Sequence, residues 1–161
     1  MEPEEGFTLV ELVIAVFIMT LVVTTVTAAF LTGTQATTRD MDRVLSSTDA
    51  AFTSAWITKD VQSTSTVSTA ASVCSTPATQ LVVALSWSGP AEKVDYRYTV
   101  VEGTGQLERV SCGTTARTDV VAHYLAAKPS ATCASPCRSV VLTLTGKDGA
   151  AFTISASRRT A

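Results

Sequence analysis

Among its 161 residues the chain has one histidine, His123. A Ser–His–Asp arrangement would have to be built on it. His123 lies beside Tyr124 in an expected strand, with no nucleophile motif nearby, so it reads as structural or exposed. One histidine also leaves the four cysteines without the partners of a mixed Cys/His metal site, and their spacings lack paired C-x-x-C knuckles. Gly103-Thr104-Gly105 lacks the third glycine and the strand-to-helix setting of a dinucleotide loop, and reads as a turn. No enzyme activity, cofactor, metal or small-molecule substrate is expected. Charge of one sign is scarce too: 12 Lys+Arg face 14 Asp+Glu, a net charge of −2. Neither nucleic acid nor acidic lipid is strongly attracted by such a balance, and Arg158-Arg159 is too short a run to argue for DNA binding. Trp56 and Trp87 read as core rather than as ligand platforms.

Proline is missing between Pro3 and Pro77, which permits an unusually long helix. Between Glu11 and Arg39 there is no charge at all, and 19 of the 25 residues from Phe7 to Leu31 are apolar, the rest being threonine and Glu11. As a helix that stretch is about 37 Å long, enough to cross a hydrocarbon core of about 30 Å. No small-residue cleavage site follows the apolar stretch as in an ordinary secretory signal, so the helix is expected to stay. A carboxylate near the centre of such a span costs on the order of 2.5–3.5 kcal/mol, so a buried Glu11 asks for a partner. Only four residues past Phe7, it could also sit at the headgroup level with its charge in water.

The string Gly6-Phe7-Thr8-Leu9-Val10-Glu11-Leu12 ahead of a spanning segment resembles the processing site of type IV prepilins, the superfamily that includes the pseudopilins of type II secretion. The resemblance implies that a membrane peptidase cuts after Gly6 and methylates Phe7, and that Glu11 pairs with a neighbouring subunit's N-terminal amine during assembly. The implied partners are other pilins or pseudopilins through their N-terminal helices, the prepilin peptidase and membrane lipid. The implied location is the cytoplasmic membrane, single-pass with the head outside, then a surface filament. One feature departs from the family: leaders usually carry Lys or Arg, whereas Met1-Glu2-Pro3-Glu4-Glu5 is acidic and Arg39 and Arg43 follow the helix. Taken alone, the positive-inside rule would invert the protein, but Asp40 and Asp42 dilute that basic pair. Orientation therefore rests on the resemblance.

The expected organisation is a leader at 1–6, a transmembrane helix at 7–34, an amphipathic continuation at 35–62, and a linker with an antiparallel β head at 63–161. One helix is expected from Phe7 to Val61, on the order of 80 Å long. Met41, Val44, Leu45, Ala51, Phe52, Ala55, Trp56 and Val61 mark its apolar stripe, with Asp40, Asp42, Arg43, Asp49, Lys59 and Asp60 outside it. Around the join, Thr20, Thr24, Thr25, Thr27, Thr32, Thr34, Thr37, Thr38 and Gly33 are poor helix formers. Either this stretch melts in a filament, as in pilin relatives, or the threonines bond back to the preceding turn.

Ser63–Thr79 reads as a linker. Strands are expected at Gln80–Trp87, Val94–Val101, Gln106–Cys112, Val120–Leu125, Ser139–Thr145 and Phe152–Ser157, with turns at Ser88-Gly89-Pro90, Gly103-Thr104-Gly105 and Gly146-Lys147-Asp148-Gly149. Alternation in the second strand places Val94, Tyr96, Tyr98 and Val100 on one face and Asp95, Arg97 and Thr99 on the other. The fold class is α+β and pilin-like: one long helix laid on an antiparallel sheet of five or six strands. Cys74, Cys112, Cys133 and Cys137 read as two disulfides with three possible pairings. Cys74–Cys112 with Cys133–Cys137 is favoured, since the second closes a short loop in which Pro136 favours a turn. Tyr96-Arg97-Tyr98 through Gly105-Gln106-Leu107-Glu108-Arg109, with Ser157-Arg158-Arg159, resembles the W-like minor pilins and J-like minor pseudopilins. The expected function is a minor structural subunit of a pilus, a type II secretion pseudopilus or a DNA-uptake filament. The alternative is an anchored tip module whose head binds a surface, secreted cargo or DNA.

Overall fold

The computed structural model describes residues 8–88, 92–113, 115–134 and 136–159. The chain divides into two compact units after Asp40. One helix, α1 (Leu9–Ser63), supplies the whole described part of the first unit and continues into the second. It runs unbroken through the join, where each threonine hydroxyl donates to a carbonyl three or four residues back. Thr24 bonds Thr20 O at 2.9 Å, Thr32 bonds Ala28 O at 2.9 Å, and Thr37 bonds Gly33 O at 3.0 Å. The back-bonding alternative thus describes the isolated chain.

Five strands form an antiparallel meander in sequence order: β1 (Thr66–Ser68), β2 (Leu81–Ser86), β3 (Lys93–Val101), β4 (Thr104–Cys112) and β5 (Ala116–Leu125). Three more, β6 (Ser130–Cys133), β7 (Ser139–Thr145) and β8 (Ala151–Ser157), make a second antiparallel sheet. A bridge between Leu125 and Gly146 links the two. The single sheet of five or six strands expected from the sequence is therefore two sheets of eight strands in all. Both additional strands, β1 and β6, are short, and β1 lies in the Ser/Thr-rich stretch read as linker. There Thr66 and Val67 pair with Ser86 and Leu85. β5 begins four residues earlier than its apolar run, because Ala116–Asp119 pair with Cys112–Arg109 on hydrogen bonding alone. The β3–β4 turn centres on Glu102 (φ 50°) and Gly103 (φ 77°), one residue before the expected position. Two successive positive φ angles give a tight turn whose twist matches the flanking strands. The expected turn at Ser88-Gly89-Pro90 falls largely on residues outside those described.

The core of the second unit gathers Ile57 and Val61 from α1, Val83, Leu85, Val94, Tyr96, Leu107 and Val121 from the larger sheet, and Val140, Leu142 and Leu144 from the smaller. The helix face that meets this core is Ser46, Ala50, Thr53, Ile57, Asp60 and Val61. That corrects the expected stripe: Met41 is 64% exposed, Val44 62% and Phe52 49%, Ala51 and Ala55 are exposed, and Leu45 and Trp56 are half-buried. The chosen face is held by polar contacts that a hydrophobicity pattern does not register. Thr53 Oγ1 donates to Val121 O at 3.0 Å, and Asp49 Oδ2 accepts from the backbone of His123 and Tyr124 at 2.8 and 2.9 Å. Small residues also allow close approach: a Cβ on Gly146 would collide with Ser46.

Candidate assembly site and the docking of the helix

Gly6 and Phe7, the expected cleavage and methylation residues, lie outside the described residues. The described chain starts at Thr8, where the helix is capped reciprocally. The Thr8 backbone N–H and hydroxyl both donate to Glu11 Oε2, at 3.2 and 3.0 Å, while the Glu11 N–H donates to Thr8 Oγ1 at 3.3 Å. This capping box satisfies two of the orphan N–H groups of the first turn, and it sets a carboxylate at the positive end of the helix dipole. Thr-x-x-Glu before an apolar run is the sequence signature of such a cap. Beyond it, α1 is long and apolar enough to cross a membrane. Leu9 to Leu31 is exposed on every side in the single chain, as suits a segment solvated by lipid or by neighbouring helices.

In the second unit the principal charged feature is a buried cluster that docks α1 on the larger sheet. Asp60, 4% exposed, accepts from Arg109 Nε at 2.7 Å and from the Tyr96 hydroxyl at 2.8 Å. Arg109 in turn stacks over Trp56, its guanidinium carbon 5.0 Å from the ring centre. Burial, followed by the charge of Asp60, pushes the Tyr96 hydroxyl well above its ordinary range. For Arg109 burial works downward but is outweighed by the hydrogen bond and charge of Asp60, leaving a net upward shift. The sequence pattern puts Asp60 outside the apolar stripe. It is core because two strand residues meet it there.

Asp95 is a second correction. Alternation set it opposite Tyr96 on the polar face, but it is fully buried: β3 is covered on that side by the loop 72–74. Its carboxylate accepts from the backbone of Val73 and Cys74, both at 3.1 Å, and from the Ser72 hydroxyl. Val100, grouped with the apolar face, is 60% exposed near the end of the strand. Disulfides join Cys74 to Cys112, Cα atoms 5.5 Å apart, and Cys133 to Cys137, 5.1 Å apart. The first fastens the same loop to β4. His123 is a half-exposed imidazole whose Nδ1 lies 3.7 Å from Asp49 Oδ1. Trp56 and Trp87 are partly buried against the core, and Trp87 Nε1 donates to Ser63 Oγ at 3.2 Å.

Residues 3–27 match the family model described as the prokaryotic N-terminal methylation motif. Neither the curated proteins nor the solved structures yielded a significant match. The motif supports the type IV pilin and pseudopilin family, and one long N-terminal helix packed on antiparallel sheets is a pilin-like α+β architecture. That family is structural rather than enzymatic. Its motif implies association with other pilins and processing by a prepilin peptidase, and together with the apolar helix it fits a single-pass membrane protein.

Proposed function

We propose that this chain is a minor subunit of a type IV filament machine, cut after Gly6, methylated at Phe7 and assembled through Glu11. The observation that carries the reading is the methylation motif at residues 3–27 with one carboxylate at the head of an apolar stretch that carries no other charge before Arg39. In the single chain Glu11 is occupied by Thr8, a local and modest cap. Cleavage creates a positive amine at Phe7. In a low-dielectric surrounding the amine of a neighbouring subunit competes for the same carboxylate, and misregistered neighbours leave a charge unpaired. The head lies outside the cytoplasmic membrane, and the apolar helices pack in the filament centre. Edman sequencing of material from the host is expected to begin at Phe7. Glu11→Ala is expected to be processed and inserted yet depleted from sheared filaments; undiminished incorporation would overturn the pairing role.

A further inference from the structure

We propose that the cleft between the last turns of α1 and the segment after β8 is a docking site for an acidic polypeptide segment of a partner protein. The cleft has a volume of about 620 Å³, and Ser54, Thr58, Lys59, Gln62 and Arg159 are among the residues that line it. Among the described residues none that line it carries a carboxylate. The nearest acid along the helix, Asp60, is turned away into its pair with Arg109 and Tyr96. Two more basic residues precede β7 and follow β8: the Arg158 N–H donates to Arg138 O at 2.8 Å, which sets both backbones at the end of the smaller sheet where Arg159 follows. Among the described residues the Lys and Arg ion pairs are Arg97–Glu108, Arg109–Asp60 and Arg117–Asp119. Lys59, Arg138, Arg158 and Arg159 take part in none of them.

Capping of α1 does not account for Lys59 and Arg159. Of the carbonyls that end the helix, Asp60 O accepts from Thr64 N at 3.0 Å and Gln62 O from the Arg159 N–H at 3.5 Å, so Arg159 meets the helix end through its main chain. Arg158 Nε reaches Thr64 O at 3.2 Å. The side chains of Lys59 and Arg159 are both exposed; Lys59 Nζ lies 5.9 Å from the Trp56 ring centre, and neither cation has a carboxylate partner among the described residues. Charge is also unevenly spread. Residues 126–159 hold Lys128, Arg138, Lys147, Arg158 and Arg159 against a single acid, Asp148. A local excess of this kind steers acidic partners toward that part of the surface.

The site suits a polypeptide better than a nucleic acid. Its cations gather at one end instead of forming a track: Lys128 is committed to Thr79 O at 2.8 Å, and Lys147 sits in the β7–β8 turn at the other end of the sheet. Trp56, the aromatic neighbour, already carries Arg109 and Lys59 over its ring, which leaves no platform for stacking a base. The hydroxyls of Ser54 and Thr58 and the amide of Gln62 offer both donors and acceptors to an extended peptide backbone. None of this involves residues 8–40, so the site stands or falls independently of filament assembly.

The test uses the full chain in detergent micelles at low salt, with fluorescein-labelled hexaglutamate and a 20-base-pair duplex DNA as probes. The peptide is expected to bind, to weaken about tenfold or more in the Lys59→Glu/Arg159→Glu variant, and to weaken as salt rises. Lys147→Glu, outside the cleft, is expected to change binding less than about twofold. Both altered side chains are exposed, so the thermal midpoint should hold. If charge reversal perturbs folding, Lys59→Gln/Arg159→Gln gives the same direction with a smaller loss. Absence of peptide binding, equal loss in Lys147→Glu, or tighter binding of the duplex than of the peptide would each overturn the proposal.

Discussion

Asp60 shows how much one side chain decides in this head. A carboxylate in the core is costly unless its lone pairs are met, and here one guanidinium and one phenol meet them. Asp60→Ala is therefore expected to destabilise the chain by about 3 kcal/mol or more in urea titration, leaving Arg109 buried beside Trp56 without its partner. Tyr96→Phe should cost less, about 1–2 kcal/mol, for a carboxylate deprived of one donor. Tyr96 also carries a pH signature. Its folded-state pKa is raised, so its contribution is complete below the unfolded tyrosine value of about 10, and is lost as pH climbs through the folded value. The stability difference between wild type and Tyr96→Phe, followed by urea titration, is thus expected to shrink from pH 9 to pH 11. Apolar pattern alone could not place Asp60, since its burial depends on Tyr96 and Arg109, more than thirty residues away.

Within α1 the same residue types mean different things on different faces. Ile57 is 1% exposed among strands of both sheets, while Val44 is 62% exposed. Ile57→Ala is expected to cost about 2–5 kcal/mol through lost burial and a cavity. Val44→Gln should stay within about 0.5 kcal/mol by the same titration, even though both residues look like helix core in a linear pattern. The elements that could be read from sequence were those with a strong local signal. The helix was legible from the absence of proline, and β3, β4, β7 and β8 from β-branched runs between turn residues. β1 and β6 were not, because three or four Ser, Thr, Ala, Val and Cys residues become strands only when a longer neighbour offers its free edge.

Across the whole molecule, the two disulfides constrain loops of very different length. The Cys74–Cys112 loop spans 38 residues and the Cys133–Cys137 loop only 4. Replacing each pair by serine is expected to cost about 4 and about 2 kcal/mol respectively in the chain-entropy picture, read as separate shifts of the urea midpoint. The larger loss should come with faster amide exchange in residues 72–76, since Asp95 and the disulfide fasten the same loop.

The sequence by itself determined the N-terminal motif, the long apolar helix and the α+β class. Each depends on residues close together in the chain: a glycine, an aromatic and an acid in fixed register, an uncharged apolar run, and alternating strands. Only the tertiary structure decided which face of α1 is buried, that the strands divide into two sheets, and that Asp60 and Asp95 lie inside. The buried face carries Ser46, Ala50, Thr53 and Asp60 beside Ile57 and Val61, while Met41, Val44 and Phe52 stay exposed. Hydrogen bonds to Val121 and Tyr96 and the ion pair to Arg109 act together with the burial of Ile57 and Val61, and such partners come together only once the chain has folded.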